Sequence, residues 1–164
     1  MAKTLAAQSL FSETFSEARQ KFLTAANAAG AEVTSYEHPQ RALNGAALTC
    51  DTAWLGDPLA ENVLVTVSAT HGIEGYAGSA AQLASLANID GDQESATTAM
   101  LHIHGINPWG MDRLQRATEN NVDLNRNFVD HASRHPNNPD FSDLHPIVCP
   151  KNWNEDSESE IMGQ

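Results

Sequence analysis

The feature that most constrains the fold is a nearly continuous run of β-branched and other apolar residues at positions 62–70, which ends in His71-Gly72-Ile73-Glu74-Gly75. A run of this kind is typical of a strand that is covered on both faces inside a sheet. The next segment, residues 77–87, is rich in Ala, Leu and Ser, which favours a helix packed closely on that sheet. The sequence therefore predicts a central strand, a polar loop and a helix in succession, as in α/β folds.

A second strand is predicted at residues 99–104, which stops before Asn107-Pro108. Two strands joined by a helix form a βαβ unit, whose strands run parallel. Such units bind ligands at the carboxyl ends of their strands. We therefore expect His71, Glu74 and the Asn107 loop to converge on one site.

The N-terminal part of the chain predicts a helix and two strands. Apolar residues recur at helical spacing through residues 12–29, and Gly30 is placed to end the helix. Segments 32–36 and 46–55 flank the turn dipeptide Asn44-Gly45 and predict an antiparallel pair. The fold class expected is α/β, with a partial mixed sheet flanked by helices. We expect one domain over residues 1–150 and a solvated acidic tail over residues 151–164.

The composition disfavours several classes of partner. Among 164 residues, 9 Lys and Arg stand against 21 Asp and Glu, a formal net charge of −12. Nucleic acid is disfavoured because phosphate contacts need basic side chains, and no Lys or Arg lies between Arg41 and Arg113. No apolar stretch is long enough to cross a membrane, and no secretory signal pattern is visible. Because Cys50 and Cys149 lie far apart, we expect free thiols and a cytoplasmic protein.

His71 and Glu74 form a His-x-x-Glu pair at the end of the predicted strand. At this spacing an imidazole nitrogen and a carboxylate oxygen can reach one metal ion from a single turn of loop. The alternative is an incidental exposed loop. The strand directly upstream and the flanking Gly72 and Gly75 favour the metal site.

The second half of the chain holds Arg116 and Arg126 close to several asparagines. Guanidinium groups bind carboxylates through two parallel hydrogen bonds, and a neighbouring amide adds a donor. Asn125-Arg126 could therefore hold the free carboxylate of a substrate. The alternative is that these arginines are structural and pair with acidic neighbours, namely Asp112, Glu119 or Asp123.

Four motifs occur in order along the chain: His71-Gly72-Ile73-Glu74-Gly75, His104-Gly105-Ile106-Asn107-Pro108-Trp109-Gly110, Arg113-Leu114-Gln115-Arg116 and Val122-Asp123-Leu124-Asn125-Arg126-Asn127-Phe128. In this succession the sequence resembles the zinc metallocarboxypeptidase superfamily, which includes carboxypeptidase A and the succinylglutamate desuccinylase and aspartoacylase enzymes. The resemblance is strongest to an uncharacterised bacterial branch and spans about residues 62–153. It implies the N-terminal half of the zinc carboxypeptidase fold.

The resemblance implies a cofactor, a reaction and a role for each site residue. His71 and Glu74 would be two of three Zn²⁺ ligands, and Arg116 would polarise the scissile carbonyl and stabilise the developing oxyanion. Asn125 and Arg126 would hold the substrate's terminal carboxylate. The reaction would be zinc-dependent hydrolysis of an amide bond next to a free carboxylate, in a peptide C-terminus or an N-acyl amino acid.

The third zinc ligand and the catalytic Glu of that superfamily have no matching motif in this sequence. The nearest substitute ligand is His104, and its alternative is a histidine hydrogen-bonded to loop backbone. We expect a truncated catalytic domain with reduced zinc affinity and little or no activity alone, whose exposed sheet edge promotes self-association. Two alternatives remain: a non-catalytic protein that binds carboxylates, and a shortened product whose site is completed by a separate chain.

Overall fold

The structure, a computed structural model, describes residues 7–89, 97–134 and 137–149. The chain divides into two compact units, Met1–Phe128 and Val129–Gln164. The predicted acidic tail, residues 151–164, lies outside the described residues. Every helix in the described part of the chain is too short or too polar to span a membrane.

The first unit is built on a four-stranded mixed sheet, which confirms the predicted fold class. The strand order is β1-β2-β4-β3, with β1 (Glu32–Arg41) antiparallel to β2 (Ala47–Leu55) and β2 antiparallel to β4 (Thr98–His104). Strand β3 (Asn62–Val67) runs parallel to β4. The helix between them, α3 (Gly75–Ala87), completes the predicted βαβ unit.

The predicted N-terminal helix and hairpin are also present. After the short helix α1 (Ala7–Leu10), helix α2 spans Phe15–Ala28. The Thr14 hydroxyl accepts a hydrogen bond from the first turn of α2, and Gly30 follows its end at φ +75°. Strand β1 is longer than predicted and continues through Pro39, which an edge strand tolerates because its outward N–H groups need no partner.

The prediction that residues 62–70 form a central strand is wrong. Strand β3 lies at the edge of the sheet, and Val63, Leu64, Val65 and Val67 are 44–53% exposed. The pattern failed because a run of β-branched residues predicts that a segment forms a strand but not where the strand lies in the sheet. Burial of both faces depends on which other segments pack beside the strand. The apolar run therefore marks an uncovered strand in the described part of the chain.

Helices α2 and α3 pack on one face of the sheet. Phe22 of α2 stacks on the His104 ring with centroids 4.5 Å apart, and Ser79 of α3 is hydrogen-bonded to the same ring. The apolar core forms two clusters on this side, one around Phe22 and Ala53 and one around Phe15 and Leu48, with these members buried to at least 98%. The helix α4 (Pro108–Asp112) follows β4 and contributes Met111 to the second cluster.

The second unit contains one described helix, α5 (Phe141–Val148). The Phe141 and His145 rings lie 4.9 Å apart on one side of this helix. A tight turn precedes it, in which Ser133 and the backbone N–H of Ala132 donate hydrogen bonds to Asp130.

Candidate functional site

The loop after β3 is held in an unusual conformation that places His71. Ala69 adopts φ +63°, a left-handed conformation that costs a non-glycine residue about 1 kcal/mol or more. Gly72 lies against Gly110 so closely that a Cβ atom on Gly72 would come within 2.1 Å of the Gly110 backbone. Residue 72 therefore has to be glycine for the His71 loop and helix α4 to come together.

The backbone of the Arg116 segment connects the Asn107 loop to the His71 loop, two segments that were expected from the sequence to lie close together. The buried Asn107 side chain accepts a hydrogen bond from the Gly110 N–H at 2.9 Å and so begins α4. Its amide donates to the Arg116 carbonyl, which also accepts from the Gly72 N–H at 3.3 Å. These backbone contacts hold the main chain of Arg116, and so the start of its side chain, beside His71.

His71 lies between two carboxylates, one at each ring nitrogen. Its Nδ1 is 3.1 Å from Oε1 of Glu74, and its Nε2 is 3.0 Å from Oδ1 of Asp123. The His71 side chain is 8% exposed, whereas that of Glu74 is 65% exposed. The imidazole is thus fixed in a buried position, and the Glu74 carboxylate faces solvent.

Asp123 also connects His71 to Arg116. The Arg116 Nε donates to Oδ2 of Asp123 at 3.0 Å, while Arg116 Nη1 lies 4.0 Å from Oε1 of Glu74. Desolvation alone would raise the pKa of Asp123, but the hydrogen bonds from Arg116 and His71 outweigh it and hold that pKa below its usual value. Asp123 therefore stays ionised at neutral pH and can anchor both neighbours.

The two carboxylates do not converge on one point, because they face opposite nitrogens of His71. A neutral imidazole has one N–H donor and one lone pair, so it can donate to only one of them. The other nitrogen then faces an oxygen lone pair, which is repulsive unless a proton or a metal cation lies between the two atoms. The 3.1 Å contact between His71 Nδ1 and Glu74 Oε1, on the solvent-exposed side of the ring, is where such a proton or cation would lie.

His71 and Glu74 are spaced to supply two of the four ligands of one Zn²⁺ ion. Two ligands of a tetrahedral zinc ion, each bonded at about 2.0–2.1 Å, lie about 3.3 Å apart, close to the 3.1 Å between His71 Nδ1 and Glu74 Oε1. Asp123 would then accept the Nε2–H and fix the ring, as carboxylates do behind metal-bound histidines. Among residues 7–89, 97–134 and 137–149, no group of three His, Cys, Asp or Glu side chains is arranged to hold a metal ion.

Asn125 and Arg126, the predicted carboxylate clamp, lie on an exposed 3₁₀ turn, Leu124–Arg126. Asp123 begins this turn by accepting from the Asn125 N–H at 2.9 Å. The Arg126 guanidinium donates to the Asn125 carbonyl at 3.2 Å, and no carboxylate of the described residues pairs with it. Asp123 thus joins the turn to His71, while the Arg126 side chain keeps donors available to a ligand.

His104, the nearest substitute ligand predicted from sequence, lies in the core. Its side chain is fully buried, its Nε2 is 2.9 Å from Ser79 Oγ, and its Nδ1 has no hydrogen-bond partner. Burial lowers the pKa of His104 to about 4. The histidine is therefore neutral at physiological pH and packs against Phe22.

Sequence reasoning missed the role of Asp123, which it treated only as an ion-pair partner for arginines. The signal available was its place two residues before Asn125, where an Asp can accept from the turn that carries the clamp. The contact with His71 spans 52 residues and has no local sequence signature.

The fold and site together define a mixed α/β protein with a His–carboxylate–Arg cluster at the carboxyl ends of two parallel strands. A family model described as a protein of unknown function, DUF2817, matches residues 11–164, and the chain belongs to that family. No curated protein matches the chain.

Two glutaminyl cyclases are among the solved structures that are similar to this chain. The enzyme of Porphyromonas gingivalis matches with a TM-score of 0.37 and 15% identity over 58% of this chain and 45% of its own. The enzyme of Macrostomum lignano matches with a TM-score of 0.38 and 16% identity over 60% of this chain and 35% of its own. The match thus spans less than half the length of either cyclase.

Proposed function

We propose that this chain carries the zinc- and carboxylate-binding residues of a hydrolase of the metallocarboxypeptidase type. The substrate is an amide bond next to a free carboxylate, in a peptide C-terminus or an N-acyl amino acid. The observation that carries the proposal is the placement of His71 between Glu74 and Asp123, with His71 Nδ1 3.1 Å from Glu74 Oε1, a spacing close to that of two ligands of one zinc ion. The order of the sequence motifs supports the same reaction class.

Each site residue has a task that follows from its position. His71 and Glu74 would hold Zn²⁺, which when bound supplies an acidified water and positive charge beside the scissile carbonyl. Asp123 orients the His71 ring and holds Arg116 through Nε, so the Nη groups of Arg116 remain to donate to the carbonyl oxygen as negative charge develops there. Asn125 and Arg126 bind the terminal carboxylate and fix the amide relative to Arg116.

A second candidate is a non-catalytic protein that binds carboxylates. The observation that favours it is that the described residues offer two converging zinc ligands, whereas catalytic zinc sites have three protein ligands. The same Arg126 donors would bind the ligand in both cases. The two candidates differ in whether bound carboxylates are turned over when zinc is supplied.

The experiment is a hydrolysis assay of the purified chain with zinc, using peptides and N-acyl amino acids and their C-terminally amidated counterparts. Because the third zinc ligand and the catalytic Glu have no match in this sequence, the proposal expects only slow turnover by this chain alone, confined to the free acids. Arg126→Ala should raise KM about tenfold or more, while Arg41→Ala, an exposed control on β1, should leave KM unchanged. Carboxylate binding without any turnover at saturating zinc would contradict the hydrolase and support the second candidate. Equal rates on acids and amides would contradict the clamp.

We also propose a cytoplasmic location and substrates rather than nucleic acid as partners. Two free cysteines, Cys50 and Cys149, are compatible with a reducing compartment. The net charge of −12 opposes binding to phosphate backbones.

A further inference from the structure

Three residues other than glycine adopt a left-handed backbone conformation in the described part of the chain. These left-handed residues are Ala69, Leu114 and Asn121, with φ values of +63°, +54° and +58°. The conformation is unfavourable because Cβ comes too close to the following carbonyl oxygen, and asparagine tolerates it better than alanine or leucine. Residues held in such conformations cluster at functional sites, where the surrounding structure maintains them.

Each left-handed residue lies two positions before a member of the candidate site: Ala69 before His71, Leu114 before Arg116 and Asn121 before Asp123. The three site residues come from separate turns of the chain, and their side chains meet at 3.0 Å. One left-handed residue changes the direction of the backbone, as at helix ends and in tight turns. The same device therefore precedes all three side chains of the His71–Asp123–Arg116 cluster.

Leu114 holds a position at the end of α4 that glycine usually holds. The Gln115 N–H donates to the Gly110 carbonyl at 2.8 Å, a bond that closes a helix end around one left-handed residue. Helix α2 ends in the same way with Gly30 at φ +75°. The Leu114 side chain is 56% exposed, so its packing does not explain leucine in place of glycine. The carbonyl of Gln115 then accepts from the Ile73 N–H at 3.1 Å, which joins this turn to the loop after β3.

Asn121 closes the turn that returns the chain from Arg116 to Asp123. Its N–H donates to the Thr118 carbonyl at 2.9 Å, and the Thr118 N–H donates to the Val122 carbonyl at 3.0 Å. The Asn121 side chain is exposed, and its backbone forms the turn. Residues 116 and 123 thus leave the turn side by side, with Arg116 Nε 3.0 Å from Asp123 Oδ2.

We propose that the three left-handed residues are positioning residues, which set where the side chains of the His71–Asp123–Arg116 cluster meet. The proposal rests on the proposed function, in which this cluster orients a zinc ligand and the group that binds the carbonyl. Hydrogen bonds of 3.0 Å are lost when the backbone beneath them shifts by about 1 Å. A substitution that disfavours positive φ should therefore loosen the cluster even where the replaced side chain is exposed.

The first test compares Asn121→Val with Asn121→Gly in the metal-free chain. Both remove the exposed amide, but valine disfavours a positive φ, whereas glycine adopts it freely. The readout is the solvent exchange of the His71 ring proton on Nε2, which faces Asp123, measured by NMR of the histidine rings. We expect exchange about tenfold faster in Asn121→Val and close to the wild-type rate in Asn121→Gly. Leu114→Val and Leu114→Gly should repeat this contrast at the second turn.

The matched control is Gly30→Val, which introduces the same backbone strain far from the cluster. Gly30 precedes β1 at the end of the sheet where β4 begins, whereas the cluster lies where β4 ends. A Cβ atom on Gly30 would have no atom within 4 Å, so the substitution changes the backbone alone. It should lower the midpoint of urea unfolding and leave the His71 ring exchange unchanged.

Zinc titration of the same variants separates this proposal from the proposed function. Asn121→Val should weaken zinc binding about tenfold and Asn121→Gly should restore it, because a displaced Asp123 no longer orients the zinc ligand His71. A wild type that binds no zinc would refute the proposed function, while the metal-free exchange rates still decide on positioning. Wild-type exchange in both valine variants, equal acceleration in Gly30→Val, or no recovery with glycine would overturn the proposal.

Discussion

Replacing Asp51 with alanine should destabilise the chain strongly, because Asp51 is a fully buried carboxylate with four hydrogen bonds. Arg19 donates to it through two nitrogens at 2.8 and 3.1 Å, Thr49 donates at 3.0 Å, and Ser35 donates through its hydroxyl. The network joins helix α2 to strands β1 and β2. Its loss would leave Arg19 facing a cavity instead of a carboxylate.

The magnitude follows from burial and from the exposure of the partner. Breaking a buried ion pair by removing one member costs about 3–5 kcal/mol. The Arg19 side chain is 29% exposed and can turn to solvent, so the expected loss for Asp51→Ala is at the lower end, about 3 kcal/mol. For a chain of this size that loss lowers Tm by about 6–12 °C.

Urea unfolding followed by circular dichroism measures the loss directly. The double variant Arg19→Ala/Asp51→Ala should cost no more than about 1 kcal/mol beyond Asp51→Ala, because Arg19 has already lost its main partner. Glu61→Ala, an exposed carboxylate in the same unit, should change the free energy of unfolding by less than about 0.5 kcal/mol. A loss below about 1 kcal/mol for Asp51→Ala would refute the reasoning.

Three further predictions follow from buried and closely packed groups. In the folded chain His104 stays neutral down to its lowered pKa of about 4, whereas in the unfolded chain it takes up a proton near pH 6.5. The free energy of unfolding should therefore fall by about 3 kcal/mol as the pH drops through this window. Urea unfolding measured across this pH range should show a weaker dependence of that free energy on pH for His104→Gln. Gly72→Ala should cost about 1–3 kcal/mol in urea unfolding because its Cβ meets the Gly110 backbone at 2.1 Å; an unchanged midpoint would contradict the packing. Asp123→Asn should weaken zinc binding about 10–100-fold in calorimetry through loss of the His71 orientation, and unchanged affinity would contradict that role.

The local features of the fold could be predicted from sequence, since each depends on neighbours along the chain. The periodicity that ends at Gly30 predicted α2, and Asn44-Gly45 predicted the hairpin of β1 and β2. Strand β3 was predicted as a strand correctly, but its place in the sheet was not. The strand order depends on which chain segments are available to cover Val63 and Val65, and the apolar run does not contain that information.

The candidate site was predictable where its residues are close in sequence. The spacing of His71 and Glu74 predicted that the two side chains lie together, and the structure places His71 Nδ1 3.1 Å from Glu74 Oε1. The contact of Asp123 with His71 and the buried Asp51–Arg19 pair depend on tertiary packing across 52 and 32 residues. Such pairs have no periodic signature, so a reading of the sequence treats them as ordinary surface charges.

The measurement that tests the central claim most directly is zinc binding to the purified chain by isothermal titration calorimetry, with His71→Ala beside the wild type. We predict one zinc per chain, held by His71 and Glu74, and loss of that binding in His71→Ala. His38→Ala, a histidine on β1 that pairs with Glu119, serves as the matched control and should leave the affinity unchanged. Absence of zinc binding, or binding of equal affinity in wild type and His71→Ala, would contradict the account.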